Sequence, residues 1–374
     1  MPLPEALRAR HLLHVFSTFG IGGPQVRFAQ VANGLGSKYR HKIVAMDGNY
    51  ACAERLDPEL DAVMVPMPIE KGRGLSRANL RSFRALLKRL RPDLLLTYNW
   101  GAVECALSNR FAPICRNVHL EDGFGPDEAD GNQLARRVWM RRLALGGSTE
   151  IVVPSRMLER IVTQNWRLSP RRVSYIANGI DCDRFAQAPQ AGLLNPKFSS
   201  SLLVGAVSGL RPEKNLARLV RAVAALPAEL DAHLVLVGEG PERPAIEALA
   251  CSLGFEDRIL LTGAVANPEA VLGRFDVFAM SSDTEQMPIS LLEAMAAGLP
   301  VVATDVGDIR EMVAPENRDL IVDRSDETGF TAALAALLRD PERRRRLGEA
   351  NRERARAEFD ESRMIAAYDR LFEG

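Results

Sequence analysis

Two glutamates, Glu285 and Glu293, are separated by seven residues in a segment that runs from an apolar strand through a loop into a helix. Pro288 is tolerated in a first helical turn, and Gly298 followed by Pro300 predicts the end of that helix. Ligands of open α/β sheets bind beyond the carboxyl ends of the strands. We therefore expect both carboxylates to face a binding crevice.

The helix that begins near Pro288 presents the backbone N–H groups of Ile289, Ser290 and Leu291. Such a terminus attracts an anion, for example a diphosphate. Carboxylates beside an anion need other partners, and sugar or ribose hydroxyls are suitable donors to them. The segment therefore indicates a ligand that carries both a diphosphate and hydroxyl groups. The alternative for Glu293 is an acid that only complements the helix dipole.

A second candidate segment, GLRPEKN at 209–215, follows the first predicted strand of the second half of the chain. Lys214 is placed to neutralise a diphosphate leaving group, and fixed cations of this kind remove the need for a metal. Its alternative is a solvated lysine at a helix start. Arg211 is either a second cation for the diphosphate or a surface residue ahead of Pro212.

A glycine-rich turn, GIGGPQ at 20–25, is the counterpart in the first half of the chain. Gly22 and Gly23 permit a close backbone approach, and Pro24 suits the first turn of the following helix. The helix N-terminus again favours a phosphate. A glycine pair is also common in tight turns that bind no ligand. The segment therefore indicates a phosphate site only in combination with the phosphate-binding helix predicted in the second half of the chain.

Together these segments resemble the retaining GT-B glycosyltransferases of family 4 (glycosyl transferases group 1). The likeness rests on Glu285 and Glu293 with EAMAAGLPVVAT, and on the segments GLRPEKN, VGEGPE, RILLTG, ANGID and GIGGPQ. It implies that Glu285 holds hydroxyls of a donor sugar, that Glu293 holds the nucleotide ribose, and that no metal or cofactor is used. It also implies that the backbone near Gly263 holds the nucleobase of a UDP- or GDP-sugar, between which the sequence does not decide.

The chain departs from the family pattern at two places. Gly209 stands where the family carries an arginine, so Arg211 is a candidate replacement. The family also carries a histidine, often as His-Gly, that contacts the donor sugar near the reacting carbon. Aligned on the histidine this position is His119, and aligned on Gly123 it is Asp122.

Acidic residues cluster around that second departure. Glu121 and Asp122 begin the cluster, and we expect them to bind the acceptor or the donor sugar at a strand end. The alternative is a solvated run of charges. The remaining members are Asp127, Glu128 and Asp130.

Short apolar runs alternate with amphipathic helical segments along the whole chain, which predicts α/β architecture with parallel sheets covered on both faces. About ten predicted strands exceed one doubly wound sheet, so we expect two Rossmann-like domains, 1–185 and 186–356. The resemblance implies that these face each other across a cleft as in GT-B. A long final helix, Glu349–Phe372, is predicted to return to the first domain through about 357–374.

Charge separates the two halves, although the 374 residues carry no net charge. Residues 1–185 hold 27 basic and 18 acidic side chains, and the remainder holds 21 and 30. Arg77, Arg81, Arg84, Lys88 and Arg91 recur at helical spacing. This stripe is either a solvated helix face or a surface for anionic lipid. Nucleic acid is disfavoured, since aromatic residues are not interleaved with the basic ones.

Further global features limit the class of protein. Five widely spaced cysteines without a C-x-x-C pair are typical of reduced thiols in the cytoplasm. The first ten residues lack the apolar core of a signal peptide, and no apolar run is long enough to span a bilayer. We expect a cytoplasmic protein, with peripheral contact to the inner face of the cytoplasmic membrane left open.

The sequence thus predicts a metal-independent, hexosyltransferase-like enzyme that moves a sugar from a nucleotide sugar to a hydroxyl of a glycan or lipid-linked acceptor. The resemblance implies bacterial surface polysaccharide or lipid-linked glycan assembly. Two alternatives stay open: another GT-B enzyme such as a nucleotide-sugar epimerase, and a non-catalytic glycan- or nucleotide-binding relative. A dinucleotide-dependent dehydrogenase is disfavoured because no G-x-G-x-x-G follows the first strand.

Overall fold

The computed structural model describes residues 9–67, 69, 75–124, 128, 133–187 and 201–374. The chain divides into two compact units. Unit 1 comprises Met1–Asn178 and Ser362–Gly374, and unit 2 comprises Gly179–Glu361. The boundaries inferred from sequence, at 185/186 and 356/357, stay predictions of where the functional division lies.

Unit 1 is built on a seven-stranded sheet in the order β3-β2-β1-β4-β5-β6-β7, with every neighbouring pair parallel. The central strands β1 and β4 are almost wholly buried, as expected for a sheet covered by helices on both faces. The strands are β1 Arg10–Phe16, β2 Tyr39–Ala45, β3 Ala62–Met64, β4 Leu94–Tyr98, β5 Arg116–Leu120, β6 Glu150–Val153 and β7 Val173–Tyr175.

The helices of unit 1 connect these strands, and the last helix of the chain joins them. They are α1 Gly23–Leu35, α2 Arg77–Leu90, α3 Val103–Arg110, α4 Ala135–Leu145, α5 Arg156–Arg160 and, at the end of the chain, α14 Glu361–Glu373. Ser76 caps α2 by accepting from the N–H of Asn79, and Ser155 caps α5 by accepting from Leu158. These caps satisfy N–H groups that a helix start leaves without partners.

Unit 2 has a six-stranded parallel sheet in the order β10-β9-β8-β11-β12-β13. Its strands are β8 Leu202–Val207, β9 Ala232–Val237, β10 Ile259–Gly263, β11 Val277–Met280, β12 Val301–Thr304 and β13 Ile321–Val322. Its helices are α6 Cys182–Phe185, α7 Leu216–Ala224, α8 Arg243–Ser252, α9 Glu269–Leu272, α10 Ile289–Ala296, α11 Ile309–Met312, α12 Glu327–Arg339 and α13 Pro341–Glu358.

Both units are therefore doubly wound Rossmann-like domains, which confirms the predicted fold class. The described residues contain thirteen strands rather than about ten. The additional strands include β3, β7 and β13, which have three, three and two residues at sheet edges. Such short edge strands bury too few apolar side chains to produce a visible run in the sequence.

The predicted single helix at the end of the chain is wrong in one respect, because it is broken at Phe359–Asp360. There the backbone of Ile180 takes over the hydrogen bonds: its N–H donates to the carbonyl of Phe359 at 3.0 Å, and its carbonyl accepts from Glu361 at 2.8 Å. After the break, α14 packs in unit 1, where Tyr39 donates to Asp369 at 2.8 Å. No described helix combines the length and apolar character needed to cross a bilayer.

A chain of buried aromatic and imidazole rings crosses the core of unit 1. His14 Nδ1 lies 3.0 Å from the hydroxyl of Tyr98, and its Nε2 lies 3.1 Å from Nδ1 of His41. Burial, together with the charge of His41, lowers the pKa of His14, and burial lowers the pKa of His41 to about 4. Both rings are therefore neutral in the folded protein at pH 7.

We expect the free energy of unfolding to decrease as the pH falls from about 6.5 to about 4. In that interval the unfolded chain binds protons at these two histidines, whereas the folded chain does not; the loss from His41 alone is about 3 kcal/mol. Chemical unfolding across this pH range measures it. The variant His41→Gln should show a shallower pH dependence than the wild type, and an unchanged slope would contradict the assignment.

Candidate functional site

The loop after β11 is fixed to the turn between β8 and α7. Ser281 and Ser282 are buried, and the Ser281 hydroxyl donates to the carbonyls of Lys214 and Asn215 at 3.1 and 3.0 Å. Thr304 at the end of β12 donates to the carbonyl of Ser282 at 2.6 Å. Three neighbouring strand ends thus hold one another, so the side chains that leave these loops have defined positions.

Lys214 and Glu285 meet at this junction. The ammonium Nζ of Lys214 donates to Oε1 of Glu285 at 2.6 Å, and the hydroxyl of Ser282 donates to the same oxygen at 2.7 Å. The side chains of Lys214 and Glu285 are 14% and 9% exposed, so the pair is only partly screened by water. The structure therefore brings together the two residues that the sequence singled out on separate segments.

A second set of polar contacts supports the same turn. Asn215 has φ of 42°, caps α7 by accepting from the N–H of Arg218, and donates to Asp283 at 3.0 Å. Arg218 pairs with Asp283 at 2.9 Å and donates to the carbonyl of Ser281 at 2.7 Å. Sequence analysis missed these three residues, although Asp283 and Asn215 stand beside Glu285 and Lys214 and are typical of turns.

Arg211 lies away from the Lys214–Glu285 pair. Its side chain is 58% exposed, and its Nε lies 3.1 Å from a carboxylate oxygen of Glu213. A Cβ added at Gly209 would lie 3.4 Å from Nε of Arg211, so the Arg211 side chain lies beside the position of the missing arginine. Its predicted contact with a diphosphate stays a prediction.

The start of α10 leaves backbone donors accessible. Pro288 is the N-cap residue and offers no side-chain hydrogen bond, so the N–H groups of Ile289 and Ser290 open the helix without a cap. The backbone N–H of Leu291, predicted to be available to an anion, donates to the carbonyl of Pro288 at 3.2 Å. The anion site predicted at Ile289, Ser290 and Leu291 stays a prediction.

The backbone of the Glu285 loop rests closely on the loop after β12. Gly307 has φ of +62°, and a Cβ added there would lie 2.5 Å from the carbonyl oxygen of Glu285. The N–H of Asp308 donates to the carbonyl of Gln286 at 3.0 Å. Any side chain at 307 would push this loop away, so the glycine of the VATDVG segment is needed for the position of Glu285.

Glu293 lies in the second turn of α10, close to α6 and α9. Its carboxyl is near Arg184 and Glu269, which pair with each other at 2.8 Å. Burial raises the pKa of Glu293 to about 7; the charge of Glu269 adds to this, and that of Arg184 opposes it. The raised pKa makes the charge of this carboxyl sensitive to pH near neutrality, and the ribose contact predicted for Glu293 stays a prediction.

Two glycines shape the backbone here: Gly263 at the end of β10 and Gly238 directly after β9. Gly263 has φ of +79°, and its carbonyl accepts from the N–H of Gly238 at 3.0 Å and from the hydroxyl of Thr262 at 2.9 Å. A Cβ added at Gly238 would lie 1.9 Å from the carbonyl of Ser208. The carbonyl of Gly263 is thus already bonded, and the predicted nucleobase contact at this residue stays a prediction.

In unit 1, the glycine turn follows β1 as predicted. Gly22 is the N-cap of α1, and Gly23 rather than Pro24 is the first helical residue. A Cβ on Gly22 would lie 2.8 Å from Oε1 of Gln25, whose amide donates to the carbonyl of Thr18 at 2.9 Å. The glycine therefore lets the turn lie tightly against the first turn of its own helix.

His119 lies inside β5 rather than beyond its end. It is fully buried, with Nδ1 at 2.9 Å from the hydroxyl of Thr97 and Nε2 at 3.6 Å from Glu121. Glu121 is also fully buried, 3.7 Å from Nε of Arg141, and Arg141 pairs with Glu128 at 3.1 Å. Neither His119 nor Glu121 presents an exposed side chain, and their predicted contacts with sugar or acceptor stay predictions.

Asp122 lies beyond the end of β5. Its N–H donates to the side-chain oxygen of Asn99 at 2.7 Å, and Gly123 after it has φ of +148°. Its carboxylate is paired with Arg27, which sequence analysis missed. Arg27 is a single basic residue on the buried face of α1, so no repeated pattern could have marked it. Asp127 and Asp130 of the predicted acidic cluster lie outside the described residues.

The amino-acid sequence matches two glycosyltransferase families along most of its length. Residues 21–184 match Glycosyltransferase Family 4, and residues 195–354 match Glycosyl transferases group 1. Together the two matches show that the chain belongs to the glycosyltransferases of family 4/group 1. The second match includes both Lys214 and the glutamate pair, and the first includes the glycine turn and Asp122.

Individual relatives are similar over shorter regions. N-acetyl-alpha-D-glucosaminyl L-malate synthase of Bacillus anthracis is 34% identical over 166 residues, which are 44% of this chain and 44% of that protein. The lipopolysaccharide core biosynthesis glycosyltransferase LpsD of Rhizobium meliloti is 29% identical over 225 residues, 60% and 63% of the two chains. This glycosyltransferase chain thus matches about half the length of these relatives.

A solved structure shows the fold over nearly the whole chain. HepE of Anabaena in complex with UDP-glucose has a TM-score of 0.81 and 17% sequence identity, and the match covers 97% of this chain and 99% of that one. The fold of this glycosyltransferase is therefore GT-B, as the sequence motifs predicted.

We expect the affinity for a nucleoside diphosphate to rise several-fold between pH 6 and pH 8, because the ionised carboxylate of Glu293 is the stronger acceptor for a ribose hydroxyl. Calorimetric titration with UDP and GDP at a series of pH values measures this. Since the phosphates titrate as well, the matched variant Glu293→Gln serves as the control. An identical pH dependence in the variant would contradict a ribose-binding role for Glu293.

Proposed function

We propose that this protein is a retaining, metal-independent glycosyltransferase that moves a hexosyl group from a nucleotide sugar to a hydroxyl of a glycan or lipid-linked acceptor. The observation that carries the proposal is the Lys214–Glu285 pair beside the uncapped start of α10. It gathers a cation, a hydroxyl acceptor and anion-binding N–H groups on adjoining strand ends of one family-matched unit.

Each group has a distinct task in this proposal. Lys214 and the N–H groups of Ile289 and Ser290 stabilise the charge that develops on the leaving diphosphate. Glu285 accepts from hydroxyls of the donor sugar, and Glu293 from those of the ribose. The family resemblance implies that the departing phosphate takes the proton of the acceptor hydroxyl, so no side-chain base is assigned to that step.

Lys214 changes partner when the donor binds. In the described structure its ammonium donates to Glu285 at 2.6 Å, so each group balances the charge of the other. A diphosphate with two or more negative charges competes for the ammonium, while sugar hydroxyls replace it as donors to Glu285. The exchange keeps both partly buried charges satisfied, which is the condition for holding them there at low cost.

We expect Lys214→Ala to lower the rate of sugar transfer about 100- to 1000-fold, the effect of removing one preorganised group that stabilises developing charge. Release of nucleoside diphosphate from a panel of UDP- and GDP-sugars measures it, with and without EDTA. Arg211→Ala is the matched control, and we expect a loss of less than about tenfold because the side chain is exposed. If Lys214→Ala and Glu285→Gln both left turnover unchanged, the mechanism would be wrong.

The same assay separates the alternatives. Nucleotide binding without turnover of any donor would favour a non-catalytic relative, and interconversion of sugars without an acceptor would favour an epimerase. The anomeric configuration of the transferred sugar, read by NMR coupling constants, tests whether the enzyme retains it.

Anionic membrane lipid is the proposed partner of unit 1. A groove of about 620 Å³ between α2, α3 and α4 is lined by apolar side chains, including Leu80, Leu107 and Leu143, with Arg81 and Lys88 at its side. Phe111 and Trp139 nearby are 70% and 68% exposed. Leu143 and Trp139 lie one turn apart on α4, so apolar and cationic groups share one face. That combination is typical of surfaces that lie on lipid.

We expect binding to vesicles that contain phosphatidylglycerol and weaker binding at high salt, since surface charges are screened. The charge reversal Arg81→Glu with Lys88→Glu should abolish it, at about 1 kcal/mol for each basic residue lost. Trp139→Ser should weaken it without changing its salt dependence. The control Arg345→Glu alters an exposed arginine of unit 2. Binding that is absent, or insensitive to both salt and these changes, would remove the lipid interpretation.

A further inference from the structure

Arg27 is a charged side chain at a buried position of α1. Its side chain is only 4% exposed and pairs with Asp122. Its Nη1 also donates to the side-chain oxygen of Asn178 at 3.1 Å, and its guanidinium lies 5.8 Å from the ring centroid of Tyr368. Four separate segments of unit 1 therefore meet at one guanidinium.

The backbone N–H and one carboxylate oxygen of Asp122 have partners, but its other carboxylate oxygen has none in the part of the chain that the structure describes. The N–H is bound by Asn99, and Oδ1 is paired with Arg27. Oδ2 is buried and has no hydrogen-bond partner among the described residues, although the side chain as a whole is 9% exposed. A buried acceptor without a donor is costly and uncommon in a native protein. A hydroxyl donor from a ligand would satisfy it.

The charge of Asp122 needs compensation if this position serves a diphosphate-linked sugar. A bare carboxylate near the reacting sugar would repel the leaving diphosphate, and its repulsion would be strong away from water. Arg27 cancels that charge. The guanidinium is planar and permanently charged, so it can bind Asp122 and Asn178 together, which a lysine ammonium does with less defined geometry.

We propose that Arg27 is a positioning residue that occupies Oδ1 of Asp122 and leaves Oδ2 to accept a hydroxyl of the sugar or its acceptor. The inference rests on the proposed glycosyl transfer. A competing explanation is that Arg27 and Asp122 form an ion pair that only stabilises unit 1.

Three variants distinguish the two explanations: Arg27→Met, Asp122→Asn and the double variant. Each single change leaves one buried group without its partner, so both should lower the melting temperature. The double variant removes both charges and should recover most of that loss. Its rate of transfer should nevertheless stay about 100-fold below the wild type, with the KM for the nucleotide sugar changed less than about threefold.

A double variant that recovers both its melting temperature and a transfer rate within about threefold of the wild type would overturn the inference. Should the double variant fail to fold, Arg27→Lys decides. A loss of kcat at an unchanged melting temperature supports positioning, and an unchanged kcat contradicts it.

Binding of UDP and GDP, followed by thermal shift, should be the same in all these variants, because the nucleotide contacts assigned under the proposed function, those of Lys214, Ile289, Ser290 and Glu293, lie in unit 2. A wild-type protein that binds nucleotide but transfers sugar from no donor would overturn the proposed function itself, and the inference with it. That result differs from an active wild type whose double variant is equally active, which overturns the inference alone.

Discussion

The bonds of Ser281 to the carbonyls of Lys214 and Asn215 join two strand ends of unit 2, and the proposed donor site depends on this junction. Parallel strands bring their carboxyl ends to one edge of a sheet, but the loops that follow are otherwise free to diverge. The serine hydroxyl ties the β11 loop to the turn after β8. Only then do Lys214 and Glu285 come within hydrogen-bond distance, although 71 positions separate them in the chain.

Charge in this protein acts locally rather than through its total. The second half of the chain carries an acidic excess, yet it contains the proposed diphosphate site. A lysine that is mostly buried, with helix N–H groups nearby, exerts a stronger field at short range than dispersed surface carboxylates, which water and salt screen. In unit 1, by contrast, the exposed arginines of α2 and Lys88 would act collectively on an extended anionic surface.

The sequence was most informative where backbone geometry restricts residue type. The segment from Ala279 to Gly307 predicted the end of a strand, a loop, a helix and a second strand, because the prolines and glycines of that segment allow few conformations. The identity of the chemistry followed from the spacing of Glu285 and Glu293 and from the family resemblance. Contacts between distant segments could not be predicted, since nothing in the order of residues indicates that Ser281 contacts Lys214.

His119 and Arg27 show the limit in opposite ways. The family resemblance indicated His119 as one of two candidates for a histidine that contacts the sugar, and the structure places it within a buried strand beside Thr97, where that contact stays a prediction. Arg27 follows the GIGGPQ turn, but no pattern of residues assigned it a role, and it lies where four segments of unit 1 meet. Side-chain type alone cannot separate a histidine that packs in a core from one that meets a ligand, because both need a hydrogen-bond partner. The register of the strand decides which of these two environments a histidine meets, and that register is set by the pairing of all the strands in the sheet.

Each unit contains a partly or fully buried pair of a cation and a carboxylate, and the two pairs differ in their surroundings. In the proposed function, unit 2 holds its cation and carboxylate as a pair that the donor separates, with Lys214 and Glu285 each in a loop at the sheet edge. Unit 1 holds Arg27 and Asp122 deeper, with Asn178 as a third partner, so that separating them would leave two buried charges unsatisfied. A pair of the first kind suits a group that must change partners during a reaction. A pair of the second kind suits a group whose position must not change.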